Sequence, residues 1–171
     1  MTIGIICVSD RCSKGLCEDK SGPLIREMLL DYGDNFHYLI VPDEKDEIEK
    51  ALIGLCDDSL CDAVFTTGGT GFAPRDITPE ATLAVIEKLV PGIPEAIRAE
   101  SYKITKNAML SRAVAGIRGK TLIVNLPGSP KAVKESLEIV IPVLPHAVET
   151  LSGKTQSCGG NYGKGGGSAE I

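Results

Sequence analysis

Tryptophan is absent, and aromatic residues make up only 4% of the 171 residues. The core must therefore be aliphatic, and a ring-shaped ligand has little aromatic surface to stack on. Cysteines stand at positions 7, 12, 17, 56, 61 and 158, but no two form a CxxC pair, and the histidines, His37 and His146, are distant from them in sequence. This excludes zinc-site and thioredoxin-like spacings. Cys7 lies in an apolar run and reads as core, and the thiols are expected to be reduced and structural or incidental. No apolar run approaches the ~20 residues of a transmembrane helix. Met1 to Ser9 leads into charged sequence without a basic n-region or cleavage site, so it does not read as a signal peptide. A cytoplasmic location is the default expectation. Positive charge is in deficit, with 18 Lys and Arg against 23 Asp and Glu and a net charge of −5, which argues against a general nucleic-acid binder. An anionic ligand would need a local basic cluster, for which Arg11, Lys14, Arg75, Lys131 and Lys134 are available.

Two familiar phosphate motifs are also missing. Gly69-Thr70-Gly71 begins a GxGxxG pattern, but Pro74 occupies the third glycine's place, so the dinucleotide fingerprint fails. Gly119-Lys120-Thr121 lacks the upstream P-loop glycine, where Val114 stands, and precedes a strand rather than a helix. What is present is the stretch Thr66 to Ala81, TTGGTGFAPRDITPEA. It continues a short apolar run, Ala63 to Phe65, that reads as a buried strand. Gly68, Gly69 and Gly71 let the backbone turn through positive φ, approach a ligand closely and aim successive N–H groups at an anion. Arg75 and Asp76 follow, then a helix with Thr78 as N-cap and Pro79 at its first position. Strand, glycine loop, Arg-Asp and capped helix together suit a phosphate or nucleotide site at the carboxyl ends of parallel strands.

In order, Ile3 to Ser9 reads as a central strand buried on both faces, followed by a polar loop and a helix opened by Ser21 and Pro23. Phe36 to Val41 is a second strand, stopped at Pro42-Asp43-Glu44, and a helix with Ile48, Leu52 and Leu55 follows. Asp62 to Thr67 is the third strand. The helix from Pro79 is expected to carry Leu83, Val85, Ile86 and Leu89 as far as Pro91-Gly92. Another helix spans Pro94 to Lys106, a short strand falls near Val114, and a buried strand covers Thr121 to Asn125. Ser129 and Pro130 start a last helix to about Leu151, which Pro142 and Pro145 should kink or split. Residues 1–152 thus form one α/β domain, a three-layer α/β/α arrangement around a mostly parallel open sheet. The glycine-rich tail, 153–171, has nothing to bury and is expected to be disordered.

Asp43 and Asp76 follow the second and third strands, and two carboxylates beside a phosphate-binding turn suit Mg²⁺. Each could instead serve as a helix cap. The segments VSDR with Gly15, VPDE, TTGGTGFAPRDITPEAT and NLPGSPKAV, in this order and spacing, resemble the molybdopterin adenylyltransferases of molybdenum-cofactor biosynthesis, a group that includes the gephyrin N-terminal domain. The resemblance spans Ile3 to Leu151. It implies a three-layer α/β fold, a homotrimer and a Mg-ATP-dependent transfer of AMP to the terminal phosphate of molybdopterin, with release of pyrophosphate. By position, Asp43 and Asp76 match the family's functional aspartates and would be the catalytic and metal-binding residues. Ser9, Asp10, Gly68, Gly69, Thr70, Gly71, Pro127, Gly128 and Ser129 would line the nucleotide and molybdopterin pocket. Arg75 is either a phosphate ligand or an ion-pair partner, and Lys131 and Lys134 either neutralise phosphate or are solvated. The alternative function is a non-catalytic molybdopterin carrier, or a scaffold for other cofactor-assembly proteins. Nucleotidyl transfer needs mainly positioning and charge neutralisation, so the lack of a Walker lysine is consistent with this chemistry.

Overall fold

The computed structural model describes residues 1–153; the expectation of a disordered tail falls almost wholly outside them. The chain runs β1 (Thr2–Val8), α1 (Asp10–Ser13), α2 (Ser21–Met28), β2 (Asn35–Val41), α3 (Lys45–Ile53) with a wider turn over Gly54–Asp58, and β3 (Ala63–Thr67). It continues with α4 (Thr78–Val85), β4 (Lys88–Leu89), α5 (Gly92–Ile104), a tight helical turn over Lys106–Leu110, β5 (Ala115–Arg118) and β6 (Thr121–Leu126). It ends in α6 (Pro130–Val140), a turn over Ile141–Val143, and α7 (Leu144–Leu151). The six strands lie in the order β2-β1-β3-β6-β5-β4. β2, β1, β3 and β6 are parallel, whereas β5 runs antiparallel to both β6 and β4.

The apolar runs of the central strands work on both faces of the sheet because successive side chains alternate. Ile3, Ile5, Ala63, Phe65, Leu122 and Val124 point to one core, where Ile25, Leu29, Ile97, Val133 and Leu137 of the covering helices meet them. Ile6, Val8, Val64 and Ile123 point to the other, under Ile48, Leu52, Ala81 and Val85. Two helical layers on one sheet give the expected three-layer arrangement. Parallel pairing then gathers the carboxyl ends of β1, β2, β3 and β6 along one edge. The four polar loops that follow them (Ser9-Asp10, Pro42 to Glu44, Gly68 to Asp76 and Pro127 to Ser129) therefore share a rim.

Three local expectations change. The helix after the glycine loop stops at Val85, and Leu89 lies in β4, pairing with Gly116, with its side chain exposed. The main-chain bonds of Glu87 and Val90 to β5 take this segment into the sheet. Thr78 is not the N-cap, since its hydroxyl donates to the Gly68 carbonyl at 2.9 Å and no side chain caps α4. Cys12 and Cys17 are paired in a disulfide, with Cα atoms 4.8 Å apart. The short helix α1 and the turn at Gly15 (φ 68°) fold this segment back on itself, with Gly15 and Leu16 donating to the carbonyls of Cys12 and Arg11. That local turn, rather than any spacing rule, brings the two thiols together. Cys7, Cys56 and Cys61 are buried free thiols, Cys7 in the core as its apolar run suggests, and burial pushes Cys7 up to about 12 and Cys56 and Cys61 to about 11.

Candidate functional site

The site is built around the glycine loop. Gly68 and Gly69 have φ of 98° and 63°, values that favour glycine, whereas Gly71 does not take the positive φ expected of it and is instead crowded by Asp76 Oδ2. Both turns are pinned by Thr78, whose hydroxyl bonds Gly68 O and whose N–H bonds Gly69 O at 3.1 Å. A side chain on Gly68 would collide with the main-chain carbonyl of Val8, and Gly128 packs against the Gly68 Cα. Among the described residues, the amides of Gly69, Thr70 and Gly71 donate to no group of the chain. The loop thus offers main-chain donors beside backbone that comes close enough to exclude side chains, a combination suited to an anion.

A carboxylate stands against each end of this turn. A Cβ on Gly69 would lie 3.2 Å from Asp43 Oδ1, and one on Gly71 would lie 2.9 Å from Asp76 Oδ2. Asp43 and Asp10 hold each other reciprocally: Asp10 N–H donates to Asp43 Oδ2 at 2.8 Å, and Asp43 N–H to Asp10 Oδ1 at 3.2 Å. Asp43 therefore links β2 to the loop after β1 instead of capping α3. Burial, followed by the neighbouring charges of Asp10 and Asp76, raises its pKa above the usual carboxylate range. Asp76 closes its own turn, with Oδ2 accepting the Ala73 N–H at 3.2 Å, so it does not cap α4 either. Arg75 is engaged by acids: Nε and Nη2 contact Asp10 at 3.0 Å and Nη2 contacts Glu44 at 2.7 Å. These bonds hold Asp10 below the usual carboxylate range.

Two cavities flank the loop. One of about 320 Å³ is lined by Ser9, Cys12, Asp19, Thr67, Gly68 and Gly128, among others. The other, about 270 Å³, is bordered by Thr70, Gly71, Arg98, Asn125 and Pro127. The rim is knitted by Thr67 Oγ1 donating to Pro127 O and Ser21 Oγ donating to Gly128 O, both at 2.8 Å. Ser129 caps α6, its hydroxyl accepting the Ala132 N–H at 3.3 Å. The expected residues of the four loops are thus brought to one edge, and Lys131 stands apart from both cavities. Its side chain is 80% exposed, with Nζ 3.9 Å from Glu135.

Three side chains that hold this edge carry no motif in the sequence. Asp19 accepts the N–H groups of Ser21 and Gly22 and the Tyr38 hydroxyl. Asn125, buried in β6, donates to Thr66 and Thr82 hydroxyls at 2.9 Å and accepts the Val114 N–H. An amide inside the apolar run TLIVNL was the available signal, because a buried amide requires partners. Arg112 reaches across to the glycine loop, and nothing in its surroundings in sequence announces it.

Against this geometry, the family model described as a probable molybdopterin binding domain matches residues 4–146. A protein of Helicobacter pylori strain J99 named molybdopterin adenylyltransferase is 54% identical over 154 residues, covering 88% of each chain. The protein of that name from Escherichia coli K12 is 45% identical over 141 residues, covering 81% of this chain and 72% of its own. The crystal structure of the molybdopterin biosynthesis enzyme MoaB from Thermus thermophilus superposes with a TM-score of 0.82 at 47% identity, covering 91% of this chain and 99% of that one.

Proposed function

Because the chain belongs to the family of probable molybdopterin binding domains, we propose that it is a molybdopterin adenylyltransferase. It would use ATP to place AMP on the terminal phosphate of molybdopterin. An oxygen of that phosphate attacks the α-phosphorus of ATP, the bond from that phosphorus to the bridging oxygen breaks, and pyrophosphate leaves. The observation that carries this reading is the glycine loop with its undonated amides held between Asp43 and Asp76. Reactions of this kind are accelerated mainly by positioning and by charge stabilisation. The amides of Gly69 to Gly71 would hold phosphate oxygens in place. The two flanking cavities give room for the nucleotide on one side and the pterin on the other.

The donor set fits Mg²⁺. It consists of hard carboxylate oxygens, and Asp43 is crowded by Asp10 and Asp76 in a way that a cation would relieve. Among the described residues no three His, Cys, Asp or Glu side chains form a cage of their own. That agrees with an ion held by one or two carboxylates plus substrate phosphates. Asp43 and Asp76 would hold it, and when bound it would neutralise phosphate charge. Arg75, already paired with Asp10 and Glu44, would fix the Asp10–Asp43 pair and remain within reach of a phosphate. Lys131 would contribute only a diffuse positive field.

No helix among the described residues is long and apolar enough to cross a membrane, and we place the reaction in the cytoplasm. We also propose a homotrimer. The edge strand β2 presents Tyr38, Leu39 and Ile40 at 40–42% exposure, apolar surface that a ring of like subunits would cover. The test is an anaerobic assay of purified protein with molybdopterin, ATP and Mg²⁺, following adenylylated product and pyrophosphate. Product that vanishes on removing Mg²⁺, and falls at least ~100-fold in Asp43→Asn and Asp76→Asn, is expected. Molybdopterin binding without product would replace the enzyme by a carrier.

A further inference from the structure

We infer that Arg112 is a positioning residue for this reaction, holding the glycine loop and Asp76 in their working arrangement; the inference rests on the adenylyltransferase reading. Arg112 follows the tight turn over Lys106–Leu110 and lies far from the loop in sequence, yet four of its contacts converge there. Its Nε donates to Gly71 O at 2.7 Å and its Nη2 to Asp76 O at 2.7 Å. Its Nη1 pairs with the Glu80 carboxylate in the first turn of α4. Its own N–H donates to Thr70 O at 2.9 Å. One planar guanidinium thus spans the segment from Gly71 to Glu80, the stretch that carries Asp76.

The directions of these bonds matter. Arg112 bonds the carbonyl oxygens of Thr70, Gly71 and Asp76, and so turns the N–H groups that share these peptide units, those of Gly71, Phe72 and Ile77, away from it. The Gly71 amide then remains available to an anion. Without Arg112 the Gly71 and Asp76 carbonyls lose their donors, and the Glu80 carboxylate, one oxygen of which is buried without a partner, loses its counter-charge. Relaxation of the loop would then carry Asp76 with it, because the Asp76 carboxylate accepts from the Ala73 N–H and the Asp76 N–H donates to the Ala73 carbonyl in one turn. Lysine cannot replace this function. A single ammonium lacks the fixed fork of donors that meets two carbonyls and a carboxylate at once.

The experiment is a double-mutant cycle between Arg112 and Asp76, read by calorimetric binding of Mg-ATP and by turnover, on the full chain. Arg112→Gln should weaken Mg-ATP binding at least ~10-fold, and Arg112→Lys by an intermediate factor, with kcat falling more than KM rises. Asp76→Asn with Arg112→Gln should bind no worse than the weaker single variant, within about threefold, because Arg112 acts through Asp76. Effects that multiply would overturn the inference and reduce Arg112 to a structural tie; so would Arg112→Gln binding like the parent. If Arg112→Gln does not fold, the same cycle is decided with Arg112→Lys. A parent chain that binds Mg-ATP without turnover removes the enzyme reading, and the binding cycle still decides Arg112. A parent chain that does not bind Mg-ATP refutes both.

Discussion

Alanine at Gly71 and alanine at Gly68 should separate catalysis from folding, although the two glycines lie three residues apart in one loop. Gly71 has an ordinary backbone, absent from the positive-φ residues, and the first atom its new methyl would meet is Asp76 Oδ2 at 2.9 Å. Ordinary contact begins near 3.4 Å, so the carboxylate oxygen must retreat by about half an ångström. It sits at the end of a rotatable side chain, and its bond from Ala73 N–H is already 3.2 Å long. Stability should therefore change by less than ~1 kcal/mol. A misplacement of 1 Å can cost ~100-fold in rate, so half of that should cost at least ~10-fold, or about 1.4 kcal/mol in the barrier. Gly68→Ala differs on both counts. Its φ of 98° strains any side chain, and its methyl runs into the Val8 carbonyl of a buried central strand. Strain of ~1–3 kcal/mol and a collision with main chain that cannot rotate away should together exceed about 3 kcal/mol. Urea denaturation and the adenylylation assay on both variants give the comparison. Gly71→Ala with the parent's turnover would mean that Asp76 is not used where it stands. Gly71→Ala destabilised as much as Gly68→Ala would mean that the loop is a folding element first.

Asp43→Asn should make the protein more stable at neutral pH while abolishing turnover. The folded-state pKa of Asp43 is raised by burial and by Asp10 and Asp76, so its contribution to stability is complete below the unfolded carboxylate range and is lost as pH rises through the folded value. Melting temperatures of parent and variant should thus converge near pH 4 and separate towards pH 7, with the variant higher; a lower melting point at pH 7 would contradict the crowding argument. Asn125→Leu should cost about 3 kcal/mol, since it strips the Val114 N–H and the Thr66 and Thr82 hydroxyls of a buried partner. Urea unfolding showing less than ~1 kcal/mol would mean that water or a shifted hydroxyl replaces the amide.

How far the sequence reaches is clear from particular residues. The strands β1, β3 and β6 were legible because each carries a short apolar run, and a strand covered on both faces has no room for alternation: β1 is buried from Ile3 to Val8 and β3 and β6 throughout. The split of the last helix was legible from Pro142, which lies in the turn between α6 and α7. The loops at the strand ends were legible as a set, because parallel strands in one sheet can only deliver their carboxyl ends to one edge. The helix after the glycine loop was overrun because Leu83 and Leu89 keep an apolar rhythm that does not describe their surroundings. Both are exposed, and main-chain pairing with β5, invisible in a rhythm, ends the helix. Thr78 is informative in the same way. Its sequence context fits a cap, but the Gly68 carbonyl offered a competing acceptor across the turn, and the hydroxyl went there.

The same distinction explains why Asp43 and Asp76 could be read and Arg112 could not. A residue on the rim follows a strand end, so its position along the chain places it there. A residue that holds the glycine loop is chosen by where the chain returns in space, and Arg112 returns 41 residues after the Gly71 carbonyl it binds. Its requirement is for donors in a plane, which no spacing records. The loop's glycines make the need for such a holder sharper. Residues without side chains cannot lock one another, so a turn that leaves its amides unpaired must borrow its rigidity from outside. Thr78 supplies it for Gly68 and Gly69 through two bonds, and Arg112 supplies it for Thr70 and Gly71 through two more. A glycine loop of this kind is therefore specified by two distant residues as much as by its own sequence.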